Sequence, residues 1–167
     1  MKTLCRIFLG FFLIASPLLV RAEDKPTAPQ HFYHLLFRLQ EVDENGQIKN
    51  VRSYTTSILT EDKHSASIRT GTRIPVGDQA QFQYLDIGVD IDVRDAIEDA
   101  GKLNLSVVSN ASSLAGSAVA PRAPIVRQNK WDSKVSVPIG KPTVIFSSDN
   151  LEDKGKIQLE LTATPEK

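Results

Sequence analysis

Residues 82–93 read FQYLDIGVDIDV, and the geometry of an extended chain decides how to take them. Successive side chains on a strand leave opposite faces, so residues two apart share a face. Leu85, Ile87, Val89, Ile91 and Val93 line one side, while Tyr84, Asp86, Gly88, Asp90 and Asp92 line the other. Aliphatics on one face and carboxylates on the other predict a strand with one side on a core and the other in water.

The same period runs outward in both directions. Upstream, YHLLFRLQEV (33–42) puts Tyr33, Leu35, Phe37 and Leu39 on one face. Asn45-Gly46 follows, a pair suited to the positive φ angles of a tight hairpin, and IKNVRSYTTSILT (48–60) returns as its second strand. Downstream, RDAIEDAGK (94–102) is helix-compatible, with Gly101 able to end the helix. LNLSVVS (103–109), KVSV (134–137), TVIF (143–146) and residues 156–163 complete the strands, the last with Ile157, Leu159, Leu161 and Ala163 on one face. Between them, ASSLAGSAVAPRAP (111–124) is small and Pro-punctuated and reads as a long mobile loop. Short strands joined by turn chemistry predict an all-β domain, mainly antiparallel, a sandwich or sheet with at most one short helix.

Composition agrees with a packed domain. Of 167 residues, 41% are hydrophobic and 24% charged, which excludes a wholly disordered or fibrous chain. Residues 1–22 read as a secretory signal peptide: Lys2 and Arg6, an apolar stretch from Ile7 to Val20, then Val20 and Ala22 at the cleavage-site positions. Residues 23–30 read as a polar linker and 31–165 as one β domain, with no transmembrane helix once the leader is gone. Cleavage removes the single cysteine, Cys5, and leaves 17 basic against 20 acidic residues. That balance argues against a nucleic-acid binder, which works by neutralising phosphates. The domain has to stand on its core, without disulfides.

Residues arranged for reactive chemistry are few. Asp86, Asp90, Asp92, Asp95 and Asp99 are the densest acidic cluster, and hard cations such as Ca²⁺ want several such oxygens. An extended strand spreads same-face acids by roughly 6.6 Å per step, so the wetted face of an amphipathic strand is the favoured reading. His31 and His34 are an odd number of residues apart and leave a strand on opposite faces, which disfavours a shared metal. No serine stands in G-x-S-x-G or S-x-x-K, and no Gly-rich phosphate loop occurs. No catalytic set, metal or cofactor is therefore expected. Arg127, Lys130, Trp131 and Lys134, within VRQNKWDSK, mix cations with the lone Trp and form the one candidate ligand or partner surface. The plainer reading of Trp131 is a ring covering the core.

Taken in order, these segments resemble the C-terminal homology domain of bacterial secretins, the outer-membrane channel proteins of type II and III secretion and type IV pilus systems. LLFRLQEVDENG (35–46) is similar to its first strand, GTRIPV (71–76) to its Gly…Val/Ile-Pro segment, and YLDIGVDIDV (84–93) to its Tyr-x-Asp-Val-Gly stretch. LNLSVVSNASS (103–113) resembles the strand leading into a serine, and Arg127 with KVSVPIGKPTVIF (134–146) resembles the family's Arg, strand, Gly and Thr. The family-motif residues are thus Tyr84, Asp86, Gly88, Arg127, Gly140 and Thr143. Ser147-Ser148 stand where secretins usually carry Gly-Gly, and the family's closing segment before its membrane-facing lip has no counterpart. The resemblance implies a secretin-like fold, a periplasmic or outer-membrane location, and a non-enzymatic role with envelope proteins, secretion or pilus components among them. A free-standing secreted β-sandwich that binds a glycan or other small ligand is the alternative. With four Phe, three Tyr and one Trp after leader removal, the chain lacks the aromatic girdles of a lipid-facing barrel, and a water-soluble domain is expected.

Overall fold

The computed structural model of the protein describes residues 30–60, 64–78, 81–115, 125–150 and 154–166. Residues 1–29, read above as leader and linker, and residues 116–124 lie outside the described residues. The described residues form eight strands: β1 (Phe32–Val42), β2 (Ile48–Leu59), β3 (Ser65–Asp78), β4 (Gln81–Asp99), β5 (Lys102–Ala115), β6 (Ile125–Pro138), β7 (Thr143–Asp149) and β8 (Lys156–Pro165). They form two four-stranded antiparallel sheets, β2-β1-β8-β7 and β3-β4-β5-β6, here sheets A and B. No helix occurs among the described residues. The all-β, antiparallel expectation holds.

Alternation supplies the core between the sheets. Tyr33, Leu35 and Phe37 of β1 and Leu159, Leu161 and Ala163 of β8 are buried from sheet A. Val89, Ile91 and Val93 of β4, Leu103, Leu105 and Val107 of β5, and Val137 of β6 meet them from sheet B. Each large aliphatic or aromatic side chain so buried contributes about 1.5–3 kcal/mol.

Several segments differ from the sequence expectation. RDAIEDAGK is not helical, because β4 continues through it to Asp99. Arg94 pairs with Ser106 and Ile97 with Asn104, so Asp95 and Ala96 together oppose Leu105 in a bulge. Asp95 takes φ 55° there, and the extra residue shifts the phase so that Ala96 joins the core. The Ser106 hydroxyl donates to the Asp95 carboxylate at 3.0 Å. The segment read as a mobile loop begins as strand: β5 carries Ala111–Ala115 in register with β6. Strand β6 starts at Ile125, well before KVSV. The β1–β2 hairpin is present, but with a five-residue loop, 43–47, in which Gly46 has φ 80° and Asn45 is not left-handed. The Asp43 carboxylate accepts from the backbone N–H groups of Asn45 and Gln47, which favours this wider turn.

Candidate functional site

Strand β3 lies along β4 with Arg73 opposite Asp86 and Arg69 opposite Asp90. The outward face of sheet B therefore carries a ladder of opposite charges. Arg73 Nε donates to Asp86 at 2.9 Å. Arg69 leans diagonally and donates to both oxygens of Asp92, at 2.7 and 2.8 Å, with its Nε 3.7 Å from Asp90. Burial pushes the Asp92 carboxyl up, but hydrogen bonds from Arg69 and the Ser67 hydroxyl outweigh it and hold the group below its usual range. The same bond raises the Arg69 guanidinium. Of the acids that suggested a hard cation, Asp86, Asp90 and Asp92 are met by an arginine across the strand pair, and Asp95 by Ser106.

This face is broken where β4 and β5 part. Their ladder ends at Val89–Ala111, while β3–β4 pairing continues to Asp78–Gln81 and β5–β6 pairing to Ala115–Ile125. At the parting point Gly88 faces Gly71, and a Cβ on Gly88 would overlap the Thr70 carbonyl and the Gly71 Cα. Only glycine lets the two backbones come this close. The Ser112 hydroxyl replaces the ladder, accepting from Gly88 N–H at 3.0 Å and lying 3.4 Å from the Gly88 carbonyl. Clefts of about 550 and 510 Å³ open on the two faces of the sheet here. Arg69, Arg73, Asp86 and Asp90 line the outer one, and Tyr54, Ile74, Ile87 and Val89 the inner one. The sequence showed the acids but not Arg69, Arg73 or Ser112, whose roles exist only once the strand register is known.

The other motif residues are dispersed. Tyr84 stands opposite Pro75 and is 67% exposed. Gly140 occupies the β6–β7 turn with φ 76°, donating its N–H to the Ala163 carbonyl at 2.8 Å, and Thr143 opens β7 opposite Leu161. Arg127 lies opposite Ser113, towards the far end of β6. The residues of the candidate ligand surface fall on two faces of β6. Trp131 has the parity of buried Val137, and its ring stacks on Phe146 of β7 at 4.1 Å and 3°. Lys130 and Lys134 have the opposite parity and face outward. Trp131 and Phe146 thereby join one border of sheet B to sheet A.

A third cluster joins the sheets at the opposite end. His31 Nδ1 lies 2.9 Å from the Glu98 carboxylate at the close of β4. Hydrogen bonds from His31 and Tyr33 hold Glu98 below its usual range. Burial, with Glu98 adding to it, pushes the Tyr33 phenol up to about 12. His34 turns instead towards Glu166, at 4.0 Å, which also meets the Ser57 hydroxyl.

Comparison with known proteins follows the same outline. No curated protein matches the chain. Among solved structures, the secretin-domain β-barrel of InvG from the Salmonella SPI-1 injectisome shares 9% identity at TM-score 0.51, covering 83% of this chain and 62% of that one. The type II secretion system secretin GspD of E. coli K12 shares 13% identity at TM-score 0.49, over 83% and 48% of the two chains. The present chain thus spans under two thirds of either. The InvG likeness concerns the fold. The family is given by the model for Secretin, bacterial type II and III secretion system protein, which matches residues 42–146, from the end of β1 to Phe146 of β7. With most of the two-sheet domain inside that match, the chain belongs to the secretin family.

Proposed function

We propose that this chain is an exported, non-enzymatic protein of the bacterial cell envelope that acts by binding other envelope proteins, secretion or pilus components among them. The observation that carries the reading is the secretin-family match over residues 42–146. Residues 1–22 serve as the export leader, 23–30 as a linker and 31–165 as the working domain, placed in the periplasm or at the outer membrane. The arrangement of side chains supports binding over catalysis, because Asp86, Asp90 and Asp92 of β4 are engaged by Arg69 and Arg73. No cofactor enters the proposal.

The test is a pull-down of the tagged chain from envelope extracts in mild detergent, with fractionation alongside. Recovery in the periplasmic or outer-membrane fraction with secretion or pilus components is the expected result. A cytoplasmic protein recovered alone with hydrolytic activity would overturn the proposal.

A further inference from the structure

We infer that the wedge between β4 and β5 is a docking site for an extended segment of a partner protein, held by strand addition. The inference rests on the protein-binding reading above and names how such a partner is held.

The backbone shows why. Gly88 directs both its N–H and its carbonyl towards β5, where the Ser112 hydroxyl meets them. In a strand, residues of one parity aim their backbone groups to the same side. Tyr84 and Asp86 therefore direct theirs into the wedge, where β5 offers no ladder partner beyond Ala111. On the other wall, Ser112 and Leu114 share the parity of Asn110, which pairs with Asp90, so their groups also face the wedge. Two walls of this kind form a template for one added strand, with neighbours needed about 4.8 Å away on each side.

The walls also specify a sequence pattern. One face of an inserted strand meets Arg69, Arg73, Asp86 and Asp90, while the other meets Tyr54, Ile74, Ile87, Val89 and Leu114, with Arg52 beside them. A segment alternating polar and apolar residues satisfies both, which is the logic of peptide recognition by strand addition. A second copy is a poor donor. The inserted strand must offer both edges, and every described strand is already hydrogen-bonded to at least one neighbour. The occupant is accordingly a segment that belongs to no sheet before it binds.

The probe is a fluorescein-labelled heptapeptide alternating valine with lysine and glutamate, titrated with the purified chain and followed by anisotropy. Saturable binding is expected. A peptide of the same composition with its valines clustered, and the alternating peptide N-methylated at every second residue, should each bind about tenfold more weakly or worse. Leu114→Pro deletes a wedge-facing N–H while sparing the β5–β6 ladder, and should weaken binding by about tenfold with the β-sheet spectrum retained. Should that variant misfold, the N-methylated peptide against the unaltered chain still decides. The inference is overturned by methylated and parent peptides binding within about twofold of each other, or by no saturable binding. Self-association that the peptide displaces places a second copy in the wedge and also overturns it. The envelope pull-down does not use this peptide, so capture of secretion components without peptide binding removes the wedge and leaves the proposed function standing.

Discussion

Gly88 shows what a single residue contributes and what a sequence conceals. In FQYLDIGVDIDV it is an outward position with no side chain. Its obligation arises from Thr70 and Gly71 on a strand seventeen residues back, which are in contact only once the register is set. Gly88→Ala should cost about 3 kcal/mol, read as a lowered midpoint in thermal or urea unfolding, because backbone has to give way. The charges nearby matter less. Arg69 is half exposed, so Arg69→Ala should cost only about 0.5 kcal/mol, and less in high salt. Tyr33 makes the sharper pH prediction. Its phenol is raised from 10.0 to about 12, so the folded state favours the neutral form. The stability this gives is complete below pH 10 and is lost as pH rises towards 12. Urea midpoints across that window should fall for the unaltered chain, and the fall should be shallower for Tyr33→Phe.

At the scale of elements, legibility followed alternation. Strands β1, β4 and β8 bury every second residue on a continuous core and were plain in the sequence. Strand β3 was not read as a strand. It is an edge strand carrying Gly71, Pro75 and Gly77, and an edge tolerates such residues because one side of its backbone needs no partner. The bulge at Asp95–Ala96 turned a strand into an apparent helix by placing buried Ala96 out of phase. The border of the sandwich depends on another pairing invisible in sequence, Trp131 on Phe146. As the only Trp in the chain, Trp131 reports directly on that contact. Phe146→Ala should cost about 2–3 kcal/mol and shift Trp emission to the red as water reaches the ring. An unchanged spectrum would place the stacking energy elsewhere. The same parity divides the candidate ligand surface: Lys130 and Trp131 are adjacent in sequence and leave β6 on opposite faces.

For the whole molecule, both outward faces are polar. Sheet B presents its arginine–aspartate ladder. On sheet A, Arg38 meets Glu160 at 3.4 Å, beside Ser53 on the neighbouring strand. Charges in that position suit water better than hydrocarbon, and the chain from residue 23 onward should be recovered without detergent as a monomer or small oligomer. Heat-resistant rings on SDS gels, or conductance in planar bilayers, would contradict this. The strand order has a further consequence, concerning time. Sheet A seats the last strand, β8, between β1 and β7, whereas sheet B is a continuous excursion of the chain. Until β8 leaves the ribosome, β1 lacks one neighbour and the core lacks Leu159, Leu161 and Ala163. On the export proposed above, the chain has to reach the translocation channel unfolded. By withholding the centre of one sheet until β8 is made, this topology delays closure of the fold, and a circular permutant that brings β8 ahead of β1 should fold earlier and be exported less efficiently.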